Sequence, residues 1–220
     1  IISWNALIAG YAQEGQGREA WVCFEHMQEE GFSPNEISFV CVLKACGRIG
    51  DIDRGKQIHD KIVQRGLLHK NMIIGNALVD MYAKCRYLDE AECSFHHISA
   101  HNTLSWTVLI KAYVQSENSE DAFRVFVQMQ QCGEIMDQVT ITSLLGAFTT
   151  SQSLDLAKRI HSCIVGSEEL LGKSVSIGNA LITMYGKLRV VEEASKAFLG
   201  LLKKDTISWT AMIGIYAQND

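Results

Sequence analysis

The chain has 220 residues, and its 20 Lys plus Arg against 25 Asp plus Glu give a formal charge of −5. With 47% hydrophobic and 20% charged residues it is too apolar and too weakly charged to be a disordered chain. No apolar run reaches the roughly 18 residues of a membrane span, so no membrane partner is expected, and the mild acidity excludes attachment to a polyanion by bulk charge alone.

Read from the N-terminus, the pattern is helical and repetitive. Leu7, Ile8 and Tyr11 form an apolar stripe at helical spacing, and Ala20, Phe24 and Met27 form a second at i, i+4 and i+7. The second stripe returns as Ala91, Phe95 and Ile98, as Ala122, Phe126 and Met129, and as Ala194, Phe198 and Leu201. Small Ala lets helices approach, while Phe and Met fill the groove between neighbours. Gly31, Gly66 and Gly133 stand where left-handed C-caps are expected, and Pro34 follows one of them. Hairpin-turn dipeptides and period-two alternation are lacking, so strands are not expected.

Longer matches fix the period. Ser3-Trp4 recurs as Ser105-Trp106 and Ser208-Trp209, Ile58-His59 as Ile160-His161, Gly75-Asn76-Ala77-Leu78 as Gly178-Asn179-Ala180-Leu181, and Met81-Tyr82-Ala83-Lys84 as Met184-Tyr185-Gly186-Lys187. The long period divides into units at 1–35, 36–71, 72–102, 103–137, 138–174 and 175–205, with a partial unit at 206–220. Two-helix units of this size stack into an all-α solenoid, in which each unit covers its neighbour and a concave groove runs along the stack. The apolar start at Ile1-Ile2 and the single helix at the end give the expectation that the chain is a slice of a longer protein.

The segment from Ile2-Ser3-Trp4-Asn5-Ala6-Leu7-Ile8 to Pro34-Asn35 resembles a pentatricopeptide repeat. The rotation of unit lengths is similar to the plant variant of that family with P, L and S units. Gly55-Lys56-Gln57-Ile58-His59 is similar to the L type, and Gly75-Asn76-Ala77-Leu78 through Lys84-Cys85 to the S type. The resemblance implies a right-handed α-α superhelix with P units at 1–35 and 103–137, L units at 36–71 and 138–174, S units at 72–102 and 175–205, and a partial P unit at 206–220. It also implies a single-stranded RNA partner, read at one base per unit by two or three side chains, with editing-complex proteins as further partners and a mitochondrial or plastid location.

In the family, the fifth and last residues of a unit read the base and the second packs against base faces. Carried onto this chain, Asn5 with Asn35 and Asn76 with Asn102 imply cytosine, Thr107 with Asp137 guanine, and Asn179 with Asp205 uracil. Val40 with Asn71 is indifferent, Thr142 with Ser174 gives a weak purine preference, and Thr210 hints at a purine. The implied footprint, 5′ to 3′, is C, any, C, G, weak purine, U. The packing residues are Ile2, Ile37, Ile73, Leu104, Val139 and Ile207, with Ser176 departing from the pattern. Extra residues near 68–71 and 168–174 leave the last-residue assignment of both L units open.

Other readings stand beside these. Asn76 and Asn179 are also read as helix caps. Trp4, Trp106 and Trp209 serve as core or as stacking platforms. His59 and His161 occupy the slot of Phe24 and read as buried packing residues. The basic run Arg54, Lys56, Lys61 and Arg65 either holds phosphates or is a solvated face. The seven cysteines lack Cys-x-x-Cys spacing and read as reduced core fillers rather than disulfides or zinc ligands.

No His is followed two residues later by Glu, so the zinc-deaminase signature is missing. The segment is therefore expected to be a binding module without cofactor or metal. Site selection for C-to-U editing of organelle transcripts is the first reading. A protein-binding scaffold, favoured by the acidic balance, and an RNA stabilisation, processing or splicing factor are the alternatives.

Overall fold

The computed structural model describes residues 1–148, 154–166 and 174–219, and these contain thirteen α-helices and no strand. In chain order they are α1 (Ile2–Gln13), α2 (Gly17–Glu29), α3 (Glu36–Ile49), α4 (Ile52–Gln64), α5 (Met72–Lys84), α6 (Leu88–His96), α7 (Thr103–Gln115), α8 (Ser119–Gln131), α9 (Gln138–Leu145), α10 (Leu154–Gly166), α11 (Val175–Lys187), α12 (Val191–Gly200) and α13 (Thr206–Asn219). No helix among the described residues is long and apolar enough to cross a membrane. The chain divides into two compact bodies, Ile1–Ala112 and Tyr113–Asp220.

Helix ends are set by local chemistry. Asn35 and Asn71 cap α3 and α5, and Asp51 and Asn118 cap α4 and α8, each with its side-chain oxygen accepting an early backbone N–H. Gly31, Gly66 and Gly133 have φ of 83°, 61° and 75° just past α2, α4 and α8, as a left-handed C-terminal turn requires. The tight turns after α5, α7 and α11 also need a left-handed residue, and there Arg86, Glu117 and Arg189 take φ of 65°, 57° and 58°. Nothing in the residue types at those three positions signals such a turn, because a left-handed turn is normally marked by glycine.

In the first body, α1, α3 and α5 lie side by side as one layer. Against it, α2 packs on α1 and α3, α4 on α3, and α6 on α5. In the second body, α11 packs on α9, α12 and α13. The recurrent Ala, Phe and Met stripe is the seam: Ala20, Phe24, Met27, Ala91, Phe95 and Ile98 are buried in the first body, and their counterparts from Ala122 to Leu201 are buried in the second. The stripe expected on α1 is corrected. Leu7 faces outward, and the buried side is Asn5, Ile8 and Ala12. Apolar residues surround α1 on all sides, so periodicity alone did not select a face.

Two repeated motifs prove to be halves of one contact. His59 Nδ1 lies 2.7 Å from the Tyr82 hydroxyl, and His161 Nδ1 lies 2.8 Å from that of Tyr185. Each imidazole meets its phenol edge-on. The histidines are half-buried rather than core residues, and the buried positions beside them belong to Ile58 and Ile160. An imidazole needs a polar partner, which only the border of the core supplies. Burial lowers the pKa of both histidines, opposed by Asp60 and Glu193 respectively, and pushes both tyrosines up to about 12.

The cysteines need a similar correction. Only Cys46 is buried, and burial pushes its thiol up to about 12. Cys93 and Cys132 are exposed, and the other four are half-buried. A small thiol fits helix surfaces as readily as interiors, so type alone did not place it.

Two outcomes follow from this packing. A Cβ on Gly75 would stand 2.6 Å from Ile98 Cγ1, so Gly75→Ala should destabilise the chain by about 1–3 kcal/mol, read from its urea midpoint. Because the folded histidine pKa lies below the usual 6.5, the unfolded chain binds protons first as the pH falls. The stability contribution is full above pH 6.5 and drains away below it. Melting temperature should fall from pH 7.5 to 5.5, and His59→Gln with His161→Gln should flatten that slope.

Candidate nucleic-acid interface

The six aliphatic side chains expected to pack against bases all point into solvent. Ile2, Ile37, Ile73 and Leu104 lie in the first turns of α1, α3, α5 and α7, and Val139 and Ile207 in those of α9 and α13. They are between 49% and 87% exposed. Isolated exposed aliphatics are ordinary, but here they recur at one helical position in both bodies. Ser176 takes the same place on α11 and is exposed.

Three residues further along each helix the polar side chains turn inward. Asn5, Asn76, Thr107 and Asn179 are buried, Val40 and Thr142 are half-buried, and Thr210 is exposed. The three threonine hydroxyls donate to the carbonyls four residues back, Thr103, Gln138 and Thr206, at 2.7, 2.9 and 2.7 Å. Toward any other group their oxygens can only accept.

The last residues of the units are the helix caps. Asn35, Asn102, Asp137 and Asp205 accept with Oδ1 from the N–H of Ser38, Ser105, Thr140 and Ser208, at 3.0, 3.0, 2.7 and 2.8 Å. Asn71 accepts from Ile73 and Ile74. Ser174 makes no side-chain cap and donates instead to Gln138 Oε1 at 2.9 Å. The cap reading of Asn76 and Asn179 is thereby corrected, since both sit inside helices that start at Met72 and Val175. The residues preceding 174 that left one L unit's register open lie outside the described residues.

The caps dictate which atoms face outward. Asn35 Oδ1 is held by a backbone N–H, so the atom of Asn5 that meets it at 3.0 Å is the donor Nδ2. Asn179 Nδ2 meets Asp205 Oδ1 in the same way at 3.0 Å. With Oδ1 committed, Asn35 offers its amide Nδ2 and Asp205 its second carboxylate oxygen. The first unit thus presents two donors, and the sixth a donor and an acceptor. The Ser208 N–H first, and then the Asn179 amide, hold the Asp205 carboxyl below the usual carboxylate range. It is an acceptor at neutral pH.

Charge separates by layer. Lys44, Arg48, Lys84, Lys111 and Lys187 lie on α3, α5, α7 and α11, whose acidic residues are Glu36 and Asp80. A recess of about 240 Å³ between α1, α3 and α5 is lined by Lys44, Arg48, Lys84 and Asp80, among others. Lys84 pairs with Asp80 at 2.6 Å, and Arg48 donates to the carbonyls of Ala12 and Gln13.

The basic run read as a phosphate site belongs elsewhere. Arg54, Lys56 and Lys61 are on α4 and Arg65 follows it, and they lie over the rings of Trp21, Tyr87, Phe24 and Phe39 at 5.1, 4.9, 5.5 and 5.2 Å. Arg65 also donates to the Pro34 carbonyl at 2.8 Å, and Lys61 to Gln28 at 3.0 Å. Arg54 and Lys61 thus reach α2, Lys56 reaches the start of α6, and Arg65 packs on α3 and the α2–α3 connection.

Trp106 is buried edge-on against Phe95, Trp4 is half-buried, and Trp209 meets Phe198 in the same way as Trp106 while 54% exposed. Among the described residues no group of three or more His, Cys, Asp or Glu could hold a metal ion.

The cap role has a cost that can be measured. Asn35→Ala removes a capping box and should lower stability by about 0.5–2 kcal/mol, seen in chemical denaturation. Asn35→Asp keeps the Oδ1 acceptor and should stay near the parent stability.

The description "PPR repeat family" matches residues 1–48 and 101–150, and "PPR repeat" matches residues 37–67 and 76–99. Over its whole length the chain is 34% identical to a mitochondrial pentatricopeptide repeat-containing protein of Arabidopsis thaliana and spans 21% of it. It is 37% identical to a chloroplastic one from the same plant, again over its whole length, and spans 27% of that protein. The chain thus covers about a quarter of these relatives. In fold, it resembles a crystal structure of the pentatricopeptide repeat protein PPR10 in complex with an 18-nucleotide psaJ RNA element, with a TM-score of 0.71 at 22% identity over 99% of this chain and 32% of that one. A crystal structure of PPR10 from maize gives 0.54 at 21% identity over 98% and 36%. With the two descriptions together matching more than half of its residues and its helix pairs stacking as the repeats require, the chain belongs to the pentatricopeptide repeat family.

Proposed function

We propose that this chain reads single-stranded RNA at one base per repeat, in the P, L, S register of units given above. The observation that carries the reading is the pattern of hydrogen-bonding atoms left outward by the caps. Cytosine presents two acceptors, O2 and N3, which suit the two donors of Asn5 and Asn35. Uracil presents an acceptor beside the N3–H donor, which suits the donor of Asn179 and the ionised Asp205. By chemistry alone, Thr107 and Asp137 are acceptors and suit the donor edge of guanine. The exposed Ile2, Ile37, Ile73, Leu104, Val139 and Ile207 supply apolar surface for base faces. The footprint is C, any, C, G, weak purine, U.

The net negative charge favoured a protein-binding scaffold, but its distribution supports RNA. The helices that carry the polar pairs have five basic residues against two acidic, while acidic residues gather on α2 and α6. Selection of C-to-U editing sites in organelle transcripts is the role proposed for the whole protein, with the mitochondrial and chloroplastic names of its relatives supporting an organelle address. The chemistry is assigned to a domain or partner beyond these repeats.

The test is a titration at fixed salt with RNAs containing C-A-C-G-A-U, a scrambled control, and the matching DNA. The RNA with the footprint should bind most tightly. Asp205→Asn should turn the sixth preference from uracil to cytosine, a swing of about tenfold or more. Equal affinity for all three nucleic acids from the folded chain would reject RNA reading and leave the scaffold.

A further inference from the structure

The serine that opens the next unit does more than cap. Ser38 Oγ lies 2.6 Å from Asn5 Oδ1 and 3.0 Å from Asn35 Oδ1, and it accepts the Asn35 N–H at 3.2 Å. Ser208 Oγ lies 2.6 Å from Asn179 Oδ1 and 2.8 Å from Asp205 Oδ1, and it accepts the Asp205 N–H at 3.2 Å. Both serines have no exposed surface. A hydroxyl has a single proton, and the shorter contact sends it to the asparagine in both cases. The fifth-position amide is then held at both ends: its oxygen by the serine, its nitrogen by the last residue.

The third unit differs. Ser105 Oγ stands 3.1 Å from Asn102 Oδ1, yet no hydrogen bond reaches Asn76. Asn76 Oδ1 is buried and unsatisfied, although the residue types match those of the first unit. An amide without anchors can present either its oxygen or its nitrogen, so its environment no longer decides between donor and acceptor.

Resting on the RNA-reading function proposed above, we infer that Ser38 and Ser208 are specificity-positioning residues that lock the donor face of Asn5 and Asn179, so that base discrimination is sharp in the first and sixth units and loose in the third. Neither serine touches a base. Each acts through the asparagine it holds. Ser105 has the same place and the same capping role without the second contact, which makes it an internal control.

The experiment compares this chain with Ser208→Ala, Ser208→Thr and Ser105→Ala, using RNAs that exchange cytosine and uracil at the third or sixth base. Losing one oriented neutral hydrogen bond should cut the sixth-base preference for uracil about fivefold in Ser208→Ala. Ser208→Thr restores the hydroxyl and should return the preference to within about twofold of the parent. Ser105→Ala should leave the third-base preference within about twofold, while weakening its helix cap as much as Ser208→Ala weakens its own. Cap strength alone cannot produce that difference. Side-chain amide NMR supplies a readout without RNA: the Asn179 NH₂ should be slow to exchange and should quicken in Ser208→Ala, with Asn76 fast throughout. If the parent shows no base preference while the Asn179 signals behave as expected, RNA reading fails and the anchoring stands. If the parent prefers uracil and Ser208→Ala keeps that preference, or if the Asn179 amide is no slower than that of Asn76, the positioning role is overturned.

Discussion

The first N–H groups of an α-helix have no partner within the helix. In this chain Asn35, Asn71, Asn102, Asp137 and Asp205 answer that need with Oδ1 at the start of a first helix. The bond does more than end a turn. It fixes the side chain's orientation, decides which atom is used internally, and leaves the other atom for the outside. Exchanging Asn for Asp keeps the cap and changes only the outward atom from donor to acceptor. The cap and the choice of outward-facing atom are thus carried by one residue without conflict.

The rest of the architecture holds those caps at regular spacing. Ala, Phe and Met bury the seam between helix pairs. The His59–Tyr82 and His161–Tyr185 contacts tie a second helix to the first helix that follows it, 2.7 and 2.8 Å apart. Cations on and just after α4 lie over aromatic rings of the neighbouring helices and are thereby engaged within the protein. That leaves the first-helix layer with a small excess of positive charge. The first helices of the two bodies thus carry more basic than acidic residues, although the chain as a whole is acidic.

Preorganisation varies along the chain even where the residues match. Asn5, Asn76 and Asn179 are all buried, but only the first and last have both amide ends bonded. Burying an unsatisfied amide oxygen costs free energy, and Asn76 carries that cost. Matching residue types at these positions therefore do not give matching hydrogen bonds. Whether the amide is held at both ends depends on a third side chain, the serine, and on whether its hydroxyl reaches the asparagine.

Much of this was legible in the sequence. The repeats at an offset of about 100 residues, the Ala–Phe–Met stripe and the glycines after second helices specified paired helices, because helical period and left-handed turns are local properties of the chain. The family resemblance singled out positions that prove regular in the fold, with exposed aliphatics in the first turns and mostly polar residues three places on, each set at one helical position. What the sequence could not decide was direction and partnership. Leu7 and Ile8 are adjacent and equally apolar, yet packing buried only Ile8. Arg54, Lys56, Lys61 and Arg65 read as a basic run, but neighbouring rings had already engaged them. Asn76 was read as a cap, while the cap was Asn71, five residues earlier. Ser38, Ser105 and Ser208 carried no special signal, because a serine early in a helix is ordinary until its distance to a residue some thirty positions away is known. The sequence by itself determined the helices and their repetition, through short-range periodicity and turn chemistry. Only the tertiary structure decided which polar atoms face outward, because that choice is made by hydrogen bonds between neighbouring repeats.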